Sequence, residues 1–178
     1  MKLRKINAVF SLISTILIMG HAISIGISML SRGATQGMPS AVSRVMTGAV
    51  AIHAILCFAS MAAAHKGAPK ATGKAKEYPR FNAPTLIQRM GGVLIIPFSA
   101  LHILGAVGIT QPPQVVHAIL PPVFFTFVLM HVAISASKAF ITLGIGNVRF
   151  VKRLDIAIKV LCAATLIADL VGFYLFVC

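Results

Sequence analysis

The run VVHAILPPVFFTFVLMHVAISASKAFITL, residues 115–143, decides the fold class of this chain. It is almost entirely apolar, carries Lys138 as its only fixed charge, and places His131 deep inside the apolar part. A helix crosses the hydrocarbon of a bilayer with about 20 predominantly apolar residues. The run therefore predicts a transmembrane helix with an imidazole at lipid depth.

Four further runs of this kind flank it, and together they account for most of the 178 residues. The chain is 58% hydrophobic and only 11% charged, whereas a soluble domain carries about a quarter charged residues. We therefore expect an all-α integral membrane protein, one domain over residues 1–178, with no separate catalytic module. The five predicted spans are Ile6–Leu30, Ser40–His65, Thr85–Ile109, Val115–Leu143 and Leu154–Val177.

The first run follows Lys2, Arg4 and Lys5, as the apolar part of a secretory signal would. Its length, its internal His21 and the absence of a small-residue cleavage pattern favour a span that is retained. We therefore count it as the first transmembrane helix.

The basic residues orient the five spans. The formal net charge is +13, and fourteen of the sixteen Lys and Arg residues fall on one side of the predicted membrane, leaving only Arg32 and Arg44 opposite. The positive-inside rule then places the amino terminus in the cytoplasm and the carboxyl terminus outside. Nucleic-acid binding does not fit short membrane-flanking loops without interleaved aromatic residues, so anionic lipid and an acidic cytoplasmic partner are the expected contacts.

One histidine lies deep in each of the first four spans: His21, His53, His102 and His131. An ionisable group at lipid depth is costly and usually functional. Four neutral imidazoles on four helices can make two bis-histidine sites, for which b-type haem in a helical bundle is the natural occupant. Hydrogen-bonded packing histidines are the alternative, but four at compatible depths argue against it.

Depth predicts the pairing. His21 lies sixteen residues beyond Lys5 and His102 thirteen beyond Arg89, which at about 1.5 Å per residue puts both roughly 20 to 24 Å from their basic anchors, in the outer half. His131 precedes Lys138 by seven residues and belongs to the inner half. The inner pair is then His53 with His131, if helix two tilts or projects past the lipid.

Two other histidines stay open as alternatives. His65 ends the second run beside Lys66 and is interfacial, or it replaces His53 as a ligand. His117 precedes His131 by fourteen residues on the same helix face, as in a helix that ligates two stacked haems, and so competes with His102. Its place near Pro112 and Pro113 favours interfacial exposure or contact with a quinone headgroup.

Cations near the helix ends are candidates for the haem propionates. We expect Arg89 first, because guanidinium groups grip carboxylates with two hydrogen bonds, then Lys138, with Arg44 or Arg32 for an outer haem. Asp169, the single acid deep in a span, faces a bundle partner or a proton route. Cys57 and Cys162 look structural. The quinone candidates are Gln36, Arg44, Gln111 and His117 outside and Gln88 inside.

Several motifs resemble one family. The stretch Leu86-Ile87-Gln88-Arg89-Met90-Gly91-Gly92 with His102 downstream resembles the Gln-Arg-x-x-Gly and histidine helix of the five-helix, dihaem cytochrome b subunit of succinate:quinone oxidoreductases and fumarate reductases. His53-Ala54-Ile55-Leu56 resembles that family's His-Ala-Leu segment. Met130-His131, followed by Lys138-Ala139-Phe140 and Arg153, resembles its fourth and fifth spans.

The resemblance implies a function for the whole chain. The first four helices would supply the axial iron ligands, which map onto His21, His53, His102 and His131, and would form a bundle around two b haems. The subunit would anchor a cytoplasmic flavoprotein and an iron–sulfur subunit to a bacterial or archaeal cytoplasmic membrane, within a complex that can oligomerise further. It would carry electrons in the respiratory chain between them and a quinone, usually menaquinone, and succinate chemistry itself would need no residue of this chain.

The chain departs from the family in its few acids, since Leu129 stands two residues before the fourth ligand, where some members carry a proton-handling glutamate. Two other function classes therefore stay open. One is the haem subunit of another respiratory enzyme of formate dehydrogenase or hydrogenase type, whose double-ligand helix the His117 and His131 spacing resembles. The other is a haem-free transporter or scaffold whose histidines relay protons or bind metal.

Overall fold

A computed structural model describes residues 2–31, 40–66, 83–106, 108–109 and 114–177. These residues form five helices and no strand. Each helix is long and apolar enough to cross a membrane, so the prediction of a five-span, all-helical chain is confirmed in that respect. The helices are α1 (Lys2–Leu30), α2 (Ser40–Lys66), α3 (Ala83–Ala106), α4 (Gln114–Leu143) and α5 (Val148–Val177).

The largest boundary error concerns the start of α5. The predicted span begins at Leu154, whereas the helix begins at Val148, because its first turns are basic rather than apolar and hydrophobicity does not find them. Asn147 marks the start instead: its side-chain Oδ1 accepts a hydrogen bond from the backbone N–H of Phe150 at 2.9 Å, the geometry of a helix N-cap.

Two helix ends depend on glycine. The prediction carried the third span to Ile109, but α3 ends at Ala106, and Gly108 adopts φ 75° while Ile109 donates a backbone hydrogen bond to Leu104 at 3.0 Å. The same arrangement ends α4, where Gly144 has φ 75°. An L-residue with a side chain rarely adopts this left-handed conformation, so these glycines stop the helices.

The packed interior of the protein lies among α1, α4 and α5, each of which contacts the other two. Helices α1 and α5 run parallel, because three contacts spread along them each join residues 143 positions apart in the chain. The contacting pairs are Met19 with Cys162, Gly26 with Asp169 and Met29 with Gly172. The buried apolar cluster of this interior consists of Met19, Leu129, Val132, Ala136 and Cys162.

Helices α2 and α3 lie at the periphery. Within the described residues, the backbone of α2 approaches only α1 and that of α3 approaches only α4, so the two do not meet each other. Of the most apolar 18-residue window of each helix, 28% is buried in α5 but only 6% in α2 and in α3. Large apolar side chains such as Ile55, Val93 and Ile167 are exposed on the outer faces, as lipid contact requires.

Candidate functional site

The four deep histidines form two pairs on crossed diagonals of the helices α1 to α4. His21 of α1 lies close enough to His102 of α3 for their charges to interact, and His131 of α4 stands in the same relation to His53 of α2. Neither α1 and α3 nor α2 and α4 come into backbone contact over the described residues. Each pair therefore belongs to two helices whose backbones do not contact each other, and we call the regions between these helices the diagonal gaps.

His131 has the best-defined surroundings of the four. Its Nδ1 lies 3.1 Å from the backbone carbonyl oxygen of Gln88 on α3. Since a carbonyl can only accept, Nδ1 carries the proton in the neutral ring, and Nε2 keeps a lone pair for an electrophile. A hydrogen bond from the distal ring nitrogen to a carbonyl is the usual support of a metal-bound histidine.

Helix α3 makes room for this imidazole. A Cβ added at Gly92 would lie 3.1 Å from Cε1 of His131, closer than most side-chain contacts, and one at Gly91 would lie 3.9 Å from its Nδ1. The side chain of Gln88 also accepts a hydrogen bond from Lys138 Nζ at 2.5 Å. One turn of α3 thus holds two side chains of α4, the candidate ligand and the candidate propionate cation.

His53 has different partners. Its Nε2 lies 3.7 Å from the sulfur of Cys57, one turn further along α2, and Asn7 of α1 donates to that sulfur at 3.4 Å. The other ring nitrogen, Nδ1, is buried, and the His53 ring also interacts with the backbone of Asn7. Cys57 is therefore not a lone filler residue, because it links the candidate ligand of α2 to α1.

The outer pair is bordered by apolar and aromatic side chains. Nδ1 of His21 is buried, with no hydrogen-bond partner in the described part of the chain. The His102 ring stacks on Phe124 of α4, with the ring centroids 5.2 Å apart and an angle of 29° between the planes. Half-buried neutral imidazoles next to aromatic rings can accept a flat, apolar ligand that offers an electrophile to their free nitrogen.

The predicted cations take distinct positions. Lys138 is bound to Gln88, Arg89 is exposed beside it and makes contacts of its own, and Arg44 is exposed near the start of α2. The side chains of His65 and His117 lie outside the described part of the structure, so their proposed roles stay predictions. The same holds for Arg32, Gln36 and Gln111, which fall outside the described residues altogether.

Four contributors to these surroundings escaped the sequence analysis. The carbonyl of Gln88 accepts a hydrogen bond from His131, and a backbone contact of this kind cannot be recognised from the residue type. Gly92 is one of 14 glycines, so nothing in the sequence singles it out. Cys57 did leave a signal, because a residue four positions after a candidate ligand shares its helix face. Asn7, a polar residue in an otherwise apolar stretch of the first span, is the other group that sequence alone could have indicated.

A porphyrin supplies four of the six ligands of its iron, so a haem needs only two imidazoles from the protein. Across the described residues, no group of three or more His, Cys, Asp or Glu side chains is placed to hold a metal ion. The arrangement of two separate imidazole pairs thus matches the ligand demand of two bis-histidine haems. The hydrogen bond of His131 Nδ1, which leaves Nε2 free, and the close approach of the His131 ring to Gly92 fit such a ligand role.

Comparisons of this chain with models of protein families, with curated proteins and with solved structures find no match. By its own geometry, the molecule is a multi-pass helical membrane protein with paired histidines at two diagonal gaps.

Proposed function

We propose that this chain is the membrane-anchor, dihaem cytochrome b subunit of a succinate dehydrogenase or fumarate reductase. In this proposal His53 and His131 hold the inner haem, and His21 and His102 hold the outer one. Bound haem supplies reversible one-electron chemistry. The chain's own residues fix the position of each iron, exclude water from it and orient the imidazoles.

The observation that carries the proposal is the diagonal pairing. Residue counting along the helices predicts His21 with His102 and His53 with His131, and the same pairs approach each other in the folded chain. Packing histidines need no such match in depth. The two helices of each diagonal make no backbone contact, and in the proposal a haem lies between them at the level of its histidines.

The charge distribution supports docking at one end. The parallel register of α1 and α5 sets Arg4 and Lys5 level with the first turns of α5, where Arg149, Lys152 and Arg153 lie, and all five side chains are exposed. In the proposal this basic end faces the cytoplasm and receives the iron–sulfur subunit of a succinate-oxidising flavoprotein complex. The inner haem then exchanges electrons with that subunit, and the outer haem with a membrane quinone.

Haem content tests the first part of the proposal. The purified full-length chain should contain two b haems by the pyridine-haemochrome assay, with reduced-minus-oxidised bands of bis-histidine iron. An assay that finds no haem would contradict the ligand assignment. A fully loaded preparation with only one haem per chain would also contradict it. Soluble subunits that co-purify with a tagged chain should include a flavoprotein that acts on succinate or fumarate, and formate dehydrogenase or hydrogenase subunits would favour the other respiratory class.

Replacement of His131 tests the electron path. His131→Ala should stop succinate-to-quinone and quinol-to-fumarate electron transfer, because the inner iron loses one of its two protein ligands. The soluble subunits should still oxidise succinate with an artificial dye. His65→Ala serves as the matched histidine control and should leave quinone reduction unchanged, and its loss of activity would instead make His65 the inner ligand.

A further inference from the structure

Asp169 of α5 is a fully buried acid without a partner. Its side chain is 0% exposed, and neither carboxyl oxygen has a hydrogen-bond partner among the described residues. The carboxyl group lies directly against the backbone of α1, since a Cβ added at Gly26 would be 2.6 Å from Oδ1. The expected ion-pair or hydrogen-bonding partner is therefore absent from this part of the molecule.

The second acid of α5 shows what a paired carboxylate looks like here. Asp155 binds Lys159 Nζ at 2.5 Å and accepts a hydrogen bond from Ser137 at 2.7 Å. Burial of an ionised carboxylate without such compensation is prohibitive, above all where lipid surrounds the helices. Asp169 is thus stable in this environment only when it carries a proton.

The titratable groups on the neighbouring helices do not compensate Asp169. Helix α1 brings His21, five residues before Gly26, and α4 brings His131 and Lys138, which both contact Gln88. On α5 itself, Cys162 contacts Met19, and Tyr174 is exposed. The side chain of His117 on α4 lies outside the described part.

The surroundings of Asp169 are asymmetric along the membrane normal. Towards the basic end, the apolar cluster of Met19, Leu129, Val132, Ala136 and Cys162 lies between the three helices. The buried polar residues on this side of Asp169 carry only hydroxyl groups, those of Ser14, Ser135, Ser137 and Thr165. That direction also requires 21 residues of α5, about 32 Å at 1.5 Å per residue. Towards the other end α1 stops at Leu30, four residues or about 6 Å beyond Gly26, and at this end of α5 Gly172 and Phe173 are buried.

We propose that Asp169 is a proton-binding site that exchanges its proton with the water at the carboxyl-terminal ends of α1 and α5, while the apolar cluster seals it from the basic end. The interior of α1, α4 and α5 then contains half of a proton path rather than a continuous one. This site does not depend on a cofactor in the histidine gaps.

Infrared difference spectroscopy of the full-length chain in liposomes of ether-linked lipids, which contain no ester carbonyl groups, tests the protonation. The chain has only three acidic side chains, Glu77, Asp155 and Asp169, so the carbonyl stretch of one protonated acid is readily resolved. Asp169→Asn should abolish this band completely, and the matched variant Asp155→Asn should retain it. Absence of a protonated-carboxyl band from the unsubstituted chain, or its survival in Asp169→Asn, would overturn the assignment.

Sidedness is tested with the pH set separately inside and outside the liposomes, after protease cleavage between residues 67 and 82 has established the orientation. The band should titrate with the pH at the carboxyl-terminal ends of α1 and α5, and titration from the basic end would overturn the sealed half-path. If Asp169→Asn does not fold, ¹³C-labelled aspartate in the unsubstituted chain assigns the band by its isotope shift. Haem content, measured optically on the same samples, reports separately on the proposed cytochrome function.

Discussion

The interior of α1, α4 and α5 and the two diagonal gaps beside it differ in how closely their helices pack. In the interior, Ala136 is fully buried, Gly26 admits a carboxyl group and helices touch along their length. Around the gaps, α2 and α3 each contact one neighbour and turn a half-buried imidazole towards a helix that they do not reach. Small side chains allow close helix approach in lipid, so the interior packs by itself, whereas in our proposal the gaps are filled by the haems that the histidines hold.

Loss of an outer ligand should give the largest effect. His102→Ala removes one of the two imidazoles at the outer gap, and we expect loss of one haem with the inner spectrum intact, because the outer iron cannot stay low-spin with a single ligand. Optical and electron paramagnetic resonance spectra measure this. His117→Ala is the matched control and should keep both haems, and the opposite result would support a helix that ligates two stacked haems.

Removal of haem should then separate the two regions. We expect backbone amides in the middle of α2 and α3 to exchange markedly faster in the haem-free protein, because each helix keeps only one protein neighbour, while those of α1, α4 and α5 change little. Hydrogen exchange followed by mass spectrometry resolves the five helices. A uniform increase over all five would mean that the interior also depends on the cofactor.

Overpacking the interior should have a moderate effect. Ala136→Leu inserts three carbons where the side chain is 0% exposed, and we expect it to cost about 1–3 kcal/mol of stability. Ala164→Leu adds the same group to an exposed position on α5 and should be nearly neutral. Thermal unfolding in detergent compares the two, and equal losses would place Ala136 outside a tight core.

A single methyl group at the inner gap should give the smallest effect. Gly92→Ala places a Cβ 3.1 Å from Cε1 of His131, so the imidazole must shift by a few tenths of an ångström. We expect a changed midpoint potential and spectrum of the inner haem. Gly105→Ala on the same helix meets nothing within 4 Å and changes the helix propensity by about 1 kcal/mol at most, so an equal spectral change there would argue against contact at Gly92.

Sequence reasoning captured what depends on position along a helix axis. The five apolar runs and the depth pairing of His21 with His102 follow from the constant rise per residue, and the folded chain brings the same residues together. Sequence reasoning could not predict how each helix is rotated about its own axis. The contact of Asp169 with Gly26 depends on which helix lies beside that face of α5. Because helices in lipid are apolar on all sides, a single sequence does not reveal this face.

The exact ends of the helices also could not be predicted from hydropathy. Gly108 and Gly144 end helices for conformational reasons that a hydropathy pattern does not contain, and Asn147 begins α5 before its apolar part. The support of His131 by a backbone carbonyl is invisible for a related reason, because any residue could supply it. The assignment of the histidines as ligands thus stays a prediction from the sequence, whereas the groups that surround them could not be predicted.

The parallel contact of the first helix with the last constrains how the protein is made. The partners of Met19, Gly26 and Met29 on α5 are synthesised after α2, α3 and α4, so α1 stays in the bilayer with only α2 and α4 as neighbours until α5 has been made. Such distant contacts close late during assembly. Before that moment the apolar cluster lacks Cys162 and α1 has no Asp169 beside Gly26, so both the cluster and the buried acid form only when α5 joins the bundle.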